Sequence, residues 1–199
     1  MAGEQLVQCL SLLYSTRKSV KYKSFCFFVF FELMANHSND HFVRNKLART
    51  SAAPGKTRLA NFYKVAADPR PPFYLVDLPG FGYARGGDKA REEFDALAAE
   101  YFGSRLEDPR FRGVLVLVDS RHPGLEADRQ TWNWLSRVGV ARHAVATKVD
   151  KLTQSERRRH LVELERLYSG PVTPVSAETG EGLDALWKKI ASLTTTARP

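Results

Sequence analysis

Phe73-Tyr74-Leu75-Val76-Asp77-Leu78-Pro79-Gly80-Phe81-Gly82 is the stretch whose reading decides the fold. The apolar run from Phe73 to Val76 stops at Asp77, and Pro79, Gly80 and Gly82 follow at once. A short apolar run bounded by Pro and Gly reads as a buried strand passing into a loop. In an open α/β sheet, ligands sit beyond the carboxyl ends of the strands. An acidic side chain there, close to a glycine whose backbone a ligand can approach, suits a metal-phosphate site. A plain strand end with a tight turn would carry the same letters, so the rest of the chain has to decide.

Outward from this stretch the pattern is regular. Leu59 to Val65 alternates apolar and polar residues, as a half-exposed strand does. Asp88 to Phe102 places Phe94, Leu97, Ala98 and Tyr101 on one helical face. Val114 to Val118 is a second continuous apolar run, and it too ends in an aspartate, Asp119. Leu125 to Val138 reads as a helix with Trp132 and Leu135 inward, and His143 to Thr147 as a third strand. A helix opening at Ser155 carries Leu161, Leu164 and Leu167 on its face. Pro171 to Val175 reads as a fourth strand, and Leu183 to Leu193 as a last helix with Leu186, Trp187 and Ile190 inward. Strands alternating with helices predict an α/β fold, a mostly parallel sheet with helices on both faces.

The first forty residues have a different texture. Leu6, Val7, Leu10, Leu13 and Tyr14 recur at helical spacing, so Gln5 to Tyr14 is expected to form a short amphipathic helix. A basic stretch precedes the aromatic run Phe25-Cys26-Phe27-Phe28-Val29-Phe30-Phe31. That run is far shorter than the roughly 20 residues of a membrane span, and Ser24 to Phe31 is expected to be a buried strand. His37 and His41 stand four apart in a polar segment with no third ligand in view. The two cysteines, Cys9 and Cys26, have no metal-binding or CxxC spacing, which fits a reducing compartment. The 199 residues carry a net charge of +8, which favours a polyanionic partner such as RNA.

Three strand ends carry specific chemistry: Asp77-Leu78-Pro79-Gly80, Thr147-Lys148-Val149-Asp150 and Val175-Ser176-Ala177-Glu178. In order and spacing they resemble the motifs of a guanine-nucleotide-binding domain. From Lys46 to about Ile190 the chain resembles the EngB family of GTPases, also called YihA or YsxC. The resemblance rests on Leu47-Ala48-Arg49-Thr50-Ser51, Pro54-Gly55-Lys56-Thr57, Asp77 to Tyr83, Asp119-Ser120-Arg121-His122-Pro123 and Leu186-Trp187-Lys188-Lys189-Ile190.

The resemblance implies a P-loop NTPase-type, Ras-like G domain over residues 46–193, preceded by an atypical segment, 1–45, and followed by a polar tail, 194–199. It implies GTP or GDP as ligand, Mg²⁺ as cofactor, and a role in assembly of the large ribosomal subunit and in normal septation. The expected partner is the large subunit or its rRNA, with no DNA and no membrane, for a cytoplasmic monomer. Residue by residue, Asp150 would accept from guanine N1–H and N2–H, and Lys148 would lay its apolar stem against the base. Thr147 and Val149 frame that pair, and the Ala177 N–H, next to Val175 and Ser176, would meet guanine O6. Asp77 would hold Mg²⁺ through water, with Leu78 and Pro79 leading to the Gly80 N–H at the γ-phosphate. Thr57 would ligate Mg²⁺ directly from a first switch segment of Gly55, Lys56, Thr57, Arg58 and Leu59.

The chain departs from the family in one place. A phosphate-binding loop, G-x-x-x-x-G-K-[ST], belongs between the first strand and the first helix. Phe28 to Val43 occupies that region and contains no glycine. Thr50 to Thr57 ends in Gly-Lys-Thr but begins with Thr, and Pro54 removes a backbone donor such a loop would use. The segment after it reads as strand, so no helix N-terminus faces a phosphate there. Phe81 follows Gly80, where Ras-type enzymes carry a water-orienting Gln, and no catalytic residue is assigned. An alternative reading is a nucleotide-free interaction module that keeps the fold and an RNA-binding surface.

Overall fold

The computed structural model describes residues 28–33, 61–67, 70–77, 102–103 and 106–195. Among these the strands are β1 (Phe28–Leu33), β2 (Asn61–Ala67), β3 (Arg70–Asp77), β4 (Phe111–Asp119), β5 (Arg142–Thr147) and β6 (Thr173–Pro174). The helices are α1 (Glu126–Arg137), α2 (Gln154–Leu167) and α3 (Leu183–Thr195).

β4 shows why the sheet lies where it does. Its residues Val114 to Val118 are all buried. Successive side chains of a strand point to opposite faces, so an unbroken apolar run must be covered on both. Val114, Val116 and Val118 join one core with Leu135 of α1 and Leu164 of α2. Leu115 and Leu117 join the other with Leu183, Leu186 and Ile190 of α3. A fully buried leucine such as Leu135, Leu164 or Leu186 contributes about 1.5–3 kcal/mol, so each helix is held mainly by one or two such anchors. Aromatic contacts extend both layers. Trp132 meets Tyr168 edge-on at 4.9 Å, and Trp187 lies 6.1 Å from Phe73.

The strand order is β2-β3-β1-β4-β5-β6. β4, β5 and β6 are parallel, and β3 runs with them, because β1 is antiparallel to both β3 and β4. Four strands therefore share one direction, as the alternation of strands and helices predicts. β2 opposes β3. The aromatic run supplies β1, and its direction is new information. Phe28 pairs with Val116 and Glu32 with Phe111, so β1 ends, at Leu33, beside the amino end of β4.

The expected elements fall close to their predicted bounds. α2 starts one residue earlier than expected because Thr153 caps it. Thr153 N donates to Glu156 Oε2 at 2.9 Å, and Glu156 N donates back to Thr153 Oγ1 at 3.4 Å, a reciprocal capping box. The expected fourth strand is shorter, only Thr173–Pro174, and the last helix is longer, running into the expected polar tail as far as Thr195. The helix expected over Gln5 to Tyr14 and most of that over Asp88 to Phe102 lie outside the described residues. Among the described residues no helix is long and apolar enough to cross a membrane.

Candidate functional site

The carboxyl ends of β4, β5 and β6 form one rim. Parallel pairing sets Asp119 opposite Thr147. Thr147 Oγ1 donates to Val118 O at 2.9 Å, and Ser120 N donates to Thr147 O at 3.0 Å. The two strand ends are thereby stitched together just where β5 stops. Lys148 then takes a left-handed backbone, φ 63° and ψ 31°, a conformation that costs a non-glycine residue roughly 1–3 kcal/mol. The turn redirects the chain into a short 3₁₀ segment, Val149–Lys151. Val149 is buried in the core and donates its N–H to Val175 O at 3.4 Å. This fixes the height of Asp150 above the sheet.

Asp150 is held by its neighbours across the rim. Ser176 Oγ donates to Asp150 Oδ1 at 2.6 Å, and Lys151 Nζ lies 2.9 Å from Oδ2. Ser176 is fully buried. Its oxygen also accepts from Glu178 N at 3.2 Å and Thr179 N at 3.1 Å. A hydroxyl has one donor and two acceptor positions, and Ser176 uses all three. Desolvation pulls the Asp150 pKa up, but the bonds from Ser176 and Lys151 outweigh it and hold the carboxyl below its ordinary value. The result is a charged acceptor whose oxygens keep further lone pairs for an incoming pair of N–H donors. Beside it, among the described residues, the Ala177 N–H has no partner.

The loop that presents Ser176 is closed by backbone bonds. Ser176 N donates to Glu181 O at 2.9 Å and Gly180 N to Ser176 O at 3.0 Å. Arg157 of α2 pairs with Glu181 and ties the loop to the helix beside it. Gly182, at φ +76°, passes so close to β6 that a Cβ there would stand 1.9 Å from Pro174 O.

A second carboxylate stands at the same rim. Lys148 Nζ donates to Asp119 Oδ2 at 2.7 Å. Arg121 grips the same group, Nε to Oδ1 at 2.9 Å and Nη2 to Oδ2 at 2.6 Å, with its backbone N–H 3.1 Å from Oδ1. Burial alone would raise the Asp119 pKa, but the bonds from Arg121 and Lys148 prevail and lower it to about 2.

The structure thus brings together Thr147, Lys148, Val149 and Asp150 with Val175, Ser176 and Ala177. Asp77 is the last residue of β3 and lies across β1 level with Leu115, four residues short of Asp119 along β4. At the usual rise this stagger is roughly 13 Å along the strand direction, which sets Asp77 apart from the Lys148–Asp150 end. Gly55, Lys56, Thr57, Arg58 and Leu59, and Leu78, Pro79 and Gly80, lie outside the described residues. Of the expected Mg²⁺ ligands only the backbone of Asp77 is therefore described. Asp119 and Arg121 enter the sequence reading only as part of the family motif, with no site role, and Lys151 does not enter it. The available signal was that Val114–Val118 ends in aspartate in the same way as Phe73–Val76.

Comparison with known proteins gives concordant matches. Residues 39–148 match the model of a family described as 50S ribosome-binding GTPase. "Probable GTP-binding protein EngB" of Oceanobacillus iheyensis is 35% identical over 152 residues, which span 74% of this chain and 74% of that protein. Its counterpart in Pelotomaculum thermopropionicum is 38% identical over 151 residues, 74% of this chain and 73% of that protein. Among solved structures, the crystal structure of a probable GTP-binding protein engB superposes with a TM-score of 0.52 at 14% identity. It covers 67% of this chain and 83% of that one, and the likeness bears on the fold.

Proposed function

The chain belongs to the EngB family of GTP-binding proteins, and from that premise we propose that it is a guanine-nucleotide-dependent factor in assembly of the large ribosomal subunit. The observation that carries the nucleotide part is the Asp150 carboxylate, kept charged by Ser176 and set beside the Ala177 N–H. Guanine offers N1–H and N2–H to such an acceptor and O6 to such a donor. Adenine offers neither pair, and a site that leaves buried polar groups unpaired against the wrong ligand discriminates by roughly 10⁴-fold or more. The ribosomal part is supported by the net charge of +8, which suits an RNA partner, and by the family description. A role in septation follows the same family reading, as do a cytoplasmic location and a monomeric state.

Mg²⁺ would be held by Thr57 and, through water, by Asp77, and would neutralise charge on the β- and γ-phosphates. The chain's own contribution is then divided. The base half is complete, whereas the phosphate half lacks its glycine-rich loop. Hydrogen bonds to charged groups contribute roughly 1.5–3 kcal/mol each, so losing four or five removes about 6 kcal/mol or more. A micromolar ligand binds with about 8.2 kcal/mol. Nucleotide affinity is therefore expected to be weak and dominated by the base.

A second reading, a nucleotide-free module that binds RNA or ribosomal particles, is favoured by one observation. β1 ends beside the amino end of β4, opposite to the rim where a phosphate loop would have to emerge. Titration with a fluorescent GDP separates the readings. Saturation below millimolar concentration, competed by GTP and GDP but not by ATP, is the outcome expected of the first. Equal competition by ATP, or no saturation, together with ribosome co-sedimentation indifferent to GTP, selects the second.

A further inference from the structure

Lys148 combines two features at the end of β5. Its backbone is left-handed, and its ammonium is anchored on the neighbouring strand rather than left to solvent. The anchor, Asp119, is itself immobilised. Arg121 holds both of its oxygens in a fork, its side chain is only 12% exposed, and the bonds from Thr147 Oγ1 to Val118 O and from Ser120 N to Thr147 O fix the distance between the two strand ends. A lysine stem is flexible, and freezing it costs up to roughly 2 kcal/mol of rotamer entropy. Here that entropy is lost before any ligand arrives. The stem is thereby drawn from the tip of β5 toward the tip of β4 and held there.

We infer that Asp119 is a positioning residue for guanine nucleotide: it pins the Lys148 ammonium so that the lysine stem is preorganised as the floor on which the base rests, with Arg121 holding Asp119 in place. The inference rests on the nucleotide-binding reading of the same site. It assigns a role to Asp119, the last residue of β4, and to Arg121 in the turn that follows. It also accounts for the strain at Lys148. The left-handed turn aims the stem, and the ion pair keeps it there.

The test is a double-mutant cycle read by fluorescent-GDP titration, with Asp119→Asn, Lys148→Ala and the double variant, each checked by its urea midpoint. Asp119→Asn is expected to weaken GDP binding about tenfold when Lys148 is present, the scale of one charge-assisted bond, and less than about twofold in the Lys148→Ala background. Additive losses would overturn the inference, because Asp119 would then act independently of Lys148. Lys148→Met covers the case in which Asp119→Asn does not fold. It keeps an apolar stem of similar length and removes only the anchored charge, so about tenfold weaker binding is expected again, and wild-type affinity would overturn the inference. If the wild type itself shows no saturable, ATP-resistant GDP binding, the nucleotide reading fails and the inference falls with it. Wild-type binding with an additive cycle sinks the inference alone.

Discussion

The Ser176 hydroxyl donates to Asp150 Oδ1 across 2.6 Å and closes the tip of β6 onto the tip of β5. Because the same oxygen accepts from two backbone N–H groups, Ser176→Ala removes three bonds at once. Asp150 would lose its serine donor while keeping its contact with Lys151, and the Glu178–Thr179 turn would lose its acceptor. The expected result is a drop of about 1–3 kcal/mol in urea-unfolding stability and roughly tenfold weaker GDP binding. Ser176→Thr, which retains the hydroxyl, should recover most of the binding. Equal behaviour of the alanine variant and the wild type in both measurements would refute this account of the site.

How much of this was readable in advance depends on what kind of signal each part leaves. Val114 to Val118 was legible as a central strand, because burial on two faces leaves no polar position in the run. Thr147 to Asp150 and Ser176 stand out in the sequence through the family resemblance, and the structure brings them to one rim. The role of Asp119 was not legible, since it arises only when parallel pairing brings Asp119 beside Thr147. The direction of β1 was equally hidden, because an unbroken apolar run reads the same either way along a sheet. β6 is shorter than its sequence predicts for a local reason. Pro174 has no N–H to donate, so the ladder reduces to the pairs of Thr173 and Pro174, with Val175 N reaching Ala146 O at 2.8 Å.

Gly182 sets the approach of α3 to the sheet. Its φ of +76° is in the left-handed region, and an added Cβ would stand 1.9 Å from a backbone oxygen, that of Pro174, which cannot swing away as a side chain could. Gly182→Ala therefore has to displace the first turn of α3 and, with it, the Ser176 loop. A loss of at least about 2 kcal/mol in urea unfolding is expected from strain of this kind, together with weaker GDP binding. Gly139→Ala is the control. Its φ is +69° but nothing lies within 4 Å of an added Cβ, so its cost should be confined to about 1 kcal/mol of backbone strain. Equal losses at the two positions would mean that the close contact with Pro174 is unimportant.

His143 gives stability a pH dependence. Its ring is buried on β5, with Nε2 2.8 Å from Thr173 Oγ1. Burial, and after it the charge of Lys189, lower its pKa from 6.5 to about 4. A depressed histidine pKa means that the unfolded chain takes up the proton first as the pH falls. The contribution is full above pH 6.5 and is lost as the pH drops toward 4, a total of about 3 kcal/mol. His143→Gln keeps a polar group toward Thr173 and cannot titrate in this range. Urea-unfolding free energies between pH 7 and 4 should therefore fall more steeply for the wild type than for the variant, and parallel curves would rule His143 out as the source.

The last prediction concerns where specificity resides. If the phosphate half of the site is weak, the base half should decide which nucleotide binds. Asp150→Asn replaces a charged double acceptor by one acceptor and one amide donor. Guanine N1–H and N2–H would then lose one charge-assisted bond and meet a competing donor. A loss of about 2–3 kcal/mol for GDP is expected, scaled from hydrogen bonds to charged groups. Xanthine carries a carbonyl at C2, which the new amide can satisfy, so xanthosine diphosphate should gain relative to GDP. Lys56→Ala should change affinity little, because Lys56 is assigned to a switch segment rather than to a phosphate loop. The measurement is a comparison of GDP and xanthosine diphosphate binding to the wild type and both variants. Abolished binding in Lys56→Ala, with guanine preference intact in Asp150→Asn, would relocate the phosphate loop to Gly55-Lys56-Thr57 and overturn the division of the site into a complete base half and a deficient phosphate half.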